Sequence, residues 1–192
     1  MKRPRSIPRR ILGPSKPGGG LVVILRGPIG AGKTTLMRGL EGKPPWRFYA
    51  LDTDAATSHH PPDLRGEWLD QEWDLEIALL AIHAKLILGR GLNLVLDPGL
   101  LLTTQKVDRF LRRIGRTRRD PRVLLVRLDV TTAEAARRKT TLPVSYVEAS
   151  HKGWVTRPVP GEVVIETSGR IAAEVLSVAR GALKGRLEGD TP

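Results

Sequence analysis

The chain has no cysteine, which excludes disulfides and thiolate chemistry and leaves the redox compartment open. Aromatic residues are few, at 4% of the sequence. Nothing approaches the roughly 18 uninterrupted apolar residues of a membrane-spanning helix. No apolar stretch of about 7 to 15 residues follows the positive N-terminus either, so the start does not read as a secretory signal. Cytoplasm is therefore the expected location. Residues 1–20 contain no acid at all, yet hold Lys2, Arg3, Arg5, Arg9, Arg10 and Lys16 between prolines and glycines, as expected of a basic tail.

What is present is an ordinary folding composition, 192 residues with 40% hydrophobic and 27% charged side chains. That length suffices for one well-buried core and is short for two. The expected organisation is a tail over 1–20, one domain over 21–185 and a short C-terminal tail over 186–192. The formal net charge is +12, and a second basic block over 106–127 sets nine Lys or Arg against Asp108 and Asp120. Such a balance suits anionic partners, whether nucleotides, nucleic acid or an acidic surface, and suits a merely soluble arginine-rich protein equally well.

Five apolar runs punctuate the chain. LVVIL at 21–25, RFYALD at 47–52, GLNLVLD at 91–97, RVLLVRLD at 122–129 and EVVIET at 162–167 read as strands, the first covered on both faces. Helices are expected after Thr34, ending near Gly39 or Gly42, then from Trp68 to Gly89, over 105–116, over 131–139, over 143–152 and over 170–184. The second of these places Leu69, Trp73, Ile77, Leu80 and Ala84 near one face. Thr131 with Glu134 three residues later is a capping signature. Strands alternating with helices predict an α/β three-layer sandwich around a five-stranded, mostly parallel sheet.

The stretch Gly27-Pro28-Ile29-Gly30-Ala31-Gly32-Lys33-Thr34-Thr35 sits between the first strand and the first helix, and matches the G-x4-G-K-T phosphate loop. Its glycines let backbone N–H groups turn towards phosphate oxygens, and the following helix adds its own unpaired N–H groups and positive end. Lys33 can reach the β and γ phosphates, and the Thr34 hydroxyl can occupy a Mg²⁺ position. A plain turn would give no reason for a lysine and two threonines after the last glycine. ATP and Mg²⁺ are the expected cofactors.

Acids at the ends of the next two strands supply the rest, because open parallel sheets bind ligands beyond their C-terminal edges. Asp54 is favoured for orienting and deprotonating an acceptor hydroxyl; Asp52 and Asp97 are favoured for Mg²⁺, with the roles of Asp52 and Asp54 exchangeable. All three acids, with His59 in the loop TSHHPP and Arg157 in GWVTRPVP, are candidate acceptor contacts. Of Arg137 and Arg138, which diverge on a helix, one is expected to reach over the phosphates, Arg137 ahead.

Together these features resemble the small P-loop kinases of the nucleoside-monophosphate kinase-like group. GPIGAGKTT looks like their phosphate loop and LDTD like the strand-two segment of shikimate and gluconate kinases. GLNLVLD is similar to the corresponding strand of chloramphenicol phosphotransferase-like, polynucleotide-kinase-like and zeta-toxin-like enzymes. DTDAATSHHP resembles the zeta-toxin acceptor segment, except that Ala56 or Thr57 stands where its arginine would be. The resemblance implies a P-loop NTPase fold and ATP-dependent phosphorylation of a hydroxyl. It implies Asp54 as the base, Arg137 or Arg138 in a lid helix, and IETSG near the adenine.

The reading is a kinase of a small hydroxylated acceptor, its oligomeric state open. A polynucleotide 5′-hydroxyl kinase is the related alternative, encouraged by the tail and by RFLRRIGRTRR, although that helix has too few aromatics to stack bases. A nucleotide-dependent interaction protein is the reading from another class; no guanine-reading N-K-x-D pattern supports it.

Overall fold

The computed structural model describes residues 20–42, 47–52, 67–97, 99, 103–155 and 158–188, and within them the side chains other than those of 67–73, 153–155 and 186–188. Of the sequence-predicted site residues, Asp54, His59 and Arg157 lie outside the described residues.

Five strands, β1 (Val22–Arg26), β2 (Phe48–Asp52), β3 (Asn93–Asp97), β4 (Val123–Asp129) and β5 (Val163–Glu166), form one sheet in the order β2-β3-β1-β4-β5. Every pairing is parallel, as the alternation of strands and helices requires. The helices are α1 (Lys33–Leu40), α2 (Glu67–Leu88), α3 (Thr104–Arg113), α4 (Thr132–Arg138), α5 (Val144–Val155) and α6 (Ala172–Glu188). The result is a three-layer α/β sandwich with a P-loop NTPase-like fold.

The unbroken apolar run of β1 has a direct cause. Leu21, Val23 and Leu25 enter a core with Leu36, Met37 and Leu40 of α1 and Val175, Ala179 and Leu183 of α6. Val22 and Ile24 point the other way, onto Ile77, Leu80 and Ala84 of α2 and Val107, Phe110 and Leu111 of α3. A strand walled on both faces has no polar face to present. The expected inner face of α2 is present at Ile77, Leu80 and Ala84, while Leu75, Leu79, Ile82 and Leu86 form an exposed apolar row on the same helix.

Several helix ends follow local chemistry. The Thr103 hydroxyl accepts from the Lys106 N–H at 3.3 Å and starts α3; Thr131 accepts from the Glu134 N–H at the same distance and starts α4. The reciprocal half of a capping box is not formed at α4, because the Thr131 N–H donates to the Ser168 hydroxyl at 2.8 Å and leaves the Glu134 carboxylate for other partners.

An ion pair is sealed inside the sandwich. Arg26, the last residue of β1, is buried and ion-paired to the buried Glu162 just before β5. Burial, and then the neighbouring Arg127, bring the Arg26 guanidinium down to about 10. Glu162 also accepts from the Val159 N–H at 3.0 Å and lies 3.9 Å from Arg127. Removing the acid leaves two arginines facing each other next to the phosphate loop. Glu162→Ala should therefore lower the unfolding free energy by about 3 kcal/mol, whereas Arg26→Met with Glu162→Leu should recover most of that loss. Urea denaturation measures both; a loss below about 1 kcal/mol for the single variant would show that the pair does not hold this corner.

Candidate active site

The loop from Gly27 to Gly32 leaves β1 at the centre of the sheet and turns directly into α1. Its shape depends on missing side chains. Gly30, at φ 81°, lies so close to α4 that a Cβ there would sit 2.9 Å from the Ala135 Cβ. Gly32, at φ 92°, is the N-cap of α1 and supplies no side chain to the helix start. The first N–H groups of α1 therefore face the loop with no capping oxygen, the arrangement in which a helix end can accept an anion.

Lys33 and Ser150 brace the start of the loop. The Lys33 ammonium folds over it and donates to the Pro28 carbonyl at 3.3 Å. The Ser150 hydroxyl on α5 accepts from the Ile29 N–H at 3.2 Å. Ser150 carries no motif, and sequence reasoning missed it; its contribution exists only because α5 lies over the loop.

Beside the loop, β2 and β3 end in register, with Asp52 paired across from Asp97. Asp97 is 2% exposed, and its Oδ2 accepts from the Thr34 hydroxyl at 3.5 Å. Neighbouring parallel strands are about 4.8 Å apart, so the two carboxylates stand at adjacent strand ends. Asp52 is half-buried and outside the lining of the cavity described next.

That cavity, of about 510 Å³, is large enough for a nucleotide and is walled by residues 29–36, Asp97, Glu134, Arg137, Arg138, Lys139, Thr167, Arg170, Ala172 and Val175. Glu134 organises its cationic side. Both of its oxygens accept from Arg137 at 2.8 Å, and one also accepts from Arg138 at 2.9 Å. The bonds from Arg137, and then those from Arg138, hold the Glu134 carboxyl at about 2, and the same partner raises Arg137 above the usual guanidinium range.

The two arginines are not equivalent. Arg138 also donates to the Gly30 carbonyl at 3.2 Å, to the Thr167 hydroxyl at 3.3 Å and to the Thr167 carbonyl at 2.7 Å. Thr167 is itself buried and donates from both its N–H and its hydroxyl to the Asp129 carbonyl, at 2.7 and 2.9 Å. Arg138 thus ties the phosphate loop, α4 and the ends of β4 and β5 into one unit. Arg137, with 75% of its side chain exposed, is held by Glu134 alone among the described residues.

Of the sequence-predicted residues, Ile29 to Thr35, Asp97, Arg137 and Arg138 meet in one cavity, with Asp52 alongside. Gly27 and Pro28 form the entry of the loop behind it. Glu134 entered the sequence reading only as a cap, and Arg170 not at all. Thr167 was legible as the Thr of IETSG, but its clamp with Arg138 was not.

A family model described as an AAA domain matches residues 22–143. No curated protein matches the chain. Similar solved structures include a sugar kinase from Janibacter sp., 17% identical, covering 86% of this chain and 95% of that one at a TM-score of 0.64. A gluconokinase from Sinorhizobium meliloti is 15% identical, with coverage of 91% and 98% and a TM-score of 0.62. A Deinococcus radiodurans tunicamycin resistance protein is 17% identical, with coverage of 85% and 95% and a TM-score of 0.60. At such identities the likeness is one of fold. The family model spans well over half of the sequence, from the first strand to beyond the paired arginines of α4, and the chain belongs to that AAA domain family.

Proposed function

We propose that this protein is an ATP-dependent kinase that phosphorylates a hydroxyl of a small molecule. The observation that carries the reading is the meeting, in one cavity, of the bare N-terminus of α1, Lys33, the Thr34–Asp97 contact and Arg137. The fold shared with a sugar kinase and a gluconokinase supports it.

The residues fit a magnesium ion brought in with the nucleotide. The donors near the loop are hard oxygens, the Thr34 hydroxyl and the Asp97 and Asp52 carboxylates, and Mg²⁺ sites use one or two carboxylates completed by phosphate and water. Among the described residues no group of three His or acidic side chains forms a cage of its own. Held there by Thr34, Asp97 and Asp52, Mg²⁺ would supply charge neutralisation for the nucleotide phosphates. Loop amides and Lys33 hold the triphosphate, and Arg138 keeps the loop against α4. Arg137 leaves Glu134 and meets the charge that develops on the transferring group.

Asp54, two residues beyond β2, takes the proton of the acceptor hydroxyl. The acceptor oxygen bonds to the γ phosphorus as the bond to the β–γ bridging oxygen breaks, and ADP departs. Glu134 remains ionised throughout the neutral range. Its folded value lies below its ordinary 4.5, so its bridges contribute fully above that value and are lost only as the pH falls towards about 2.

Incubation with γ-labelled ATP, Mg²⁺ and pooled metabolites should move the label onto an acceptor; release of free phosphate alone would favour a nucleotide-dependent interaction protein. Lys33→Ala should abolish transfer. Asp54→Asn should lower kcat by at least about 10²-fold with nucleotide affinity retained, and nearly unchanged turnover would return the base to another group. Arg137→Ala should lower kcat by about 10²-fold with little change in KM for ATP, whereas Arg138→Ala should mainly raise KM and lower the melting temperature. Equal effects of the two arginine variants on both constants would contradict their division of labour.

A further inference from the structure

Two groups of described cations stand at opposite edges of the sheet. Arg137, Arg138, Lys139 and Arg170 border the cavity at the C-terminal edge. A second group, Arg112, Arg113, Arg116, Arg119 and Arg122, lies where α3 ends and β4 begins. In a parallel sheet each helix returns the chain to the N-terminal edge, so this group stands a full strand length, about 15 Å, from the phosphate loop. It neither holds the nucleotide nor lines the acceptor side.

The acids near this group are already engaged. Asp120 accepts from Arg116 at 2.7 Å and from the Arg122 N–H at 2.9 Å, and Asp108 accepts from Arg118 at 2.6 Å. Arg112, Arg113 and Arg119 are exposed and make no ion pair among the described residues. Complementing the end of α3 accounts for Arg112 and Arg113. It does not account for Arg119 and Arg122, which lie outside any helix.

The described chain begins at the same edge, where the Val22 N–H donates to the Arg122 carbonyl at 2.8 Å. The chemistry also selects a partner. The cluster is arginine throughout, and guanidinium groups fit phosphate oxygens in pairs. No large apolar side chain is exposed from 112 to 122, so nothing there inserts into a bilayer. No aromatic stands there to stack a base.

We propose that this edge is a docking surface for the phosphate backbone of a nucleic acid, held without regard to base sequence, with the catalytic edge facing away. The proposal does not depend on the kinase reading. It argues against a strand end reaching the acceptor position along these arginines.

Fluorescence anisotropy of the full chain with a labelled duplex of scrambled sequence, about 20 base pairs long, tests it. Log affinity should fall linearly with log salt, with a slope of about −0.9 for each phosphate contacted. Arg112→Glu with Arg113→Glu should weaken binding by about tenfold or more at 0.1 M salt. Lys152→Glu with Arg180→Glu, of equal net charge, should change it by less than about threefold. Circular dichroism and binding of a fluorescent ATP analogue, unchanged in the α3 variant, would show that fold and nucleotide site persist. Equal weakening by the two variants would assign the effect to net charge and overturn the proposal. So would absence of saturable duplex binding, or binding only to phosphatidylserine vesicles.

Discussion

The burial of β1 on both faces is the constraint on which the C-terminal edge of the sheet depends. A strand with no exposed side can shift only by disturbing two cores at once, and it delivers the phosphate loop at the centre of the sheet. The neighbouring strands add their ends on either side. Asp97 arrives through β3, and the Asp129 carbonyl that anchors Thr167 arrives through β4. The Arg26–Glu162 pair then fixes the last residue before the loop, so the point from which the glycines turn is held by charge as well as by packing.

Around that fixed point α4 combines two tasks in adjacent residues. The missing Cβ of Gly30 makes room for Ala135, which brings the helix against the loop. Arg138 converts this contact into a directional one through the Gly30 and Thr167 carbonyls. Glu134 binds both arginines, yet only Arg138 has further anchors. A shared carboxylate therefore holds one guanidinium that is also tied to the loop and to Thr167, and one with no other partner among the described residues. The distinction rests on geometry rather than residue type.

The sequence was informative where interactions are local in the chain. The apolar run of β1, the glycines and the first turn of α1 lie within twenty residues, and the Thr131 cap acts across three. Asp52 and Asp97 were legible because strand ends in a parallel sheet gather at one edge whatever the intervening chain does. The fate of the Glu134 carboxylate, the buried role of Thr167 and the reach of Ser150 to Ile29 were not legible. The Glu134 bonds run only three and four residues along α4, but the carboxylate is left for them because the Thr131 N–H goes to Ser168; the Thr167 and Ser150 contacts join partners 29 and 121 residues apart. The outer row of α2 shows a similar limit: periodicity identified a helix, but an apolar residue on it did not by itself indicate which side faces the core.

The hydroxyl of Ser150 on the Ile29 amide has an energetic meaning of its own. A loop rich in glycine loses much conformational freedom when it closes around an anion, and that loss subtracts from affinity. Here part of the ordering occurs during folding, when α5 settles and its serine captures a backbone donor that would otherwise sample solvent. Under the proposed function a triphosphate meets a loop that is already shaped, and more of its hydrogen-bond enthalpy is left for binding.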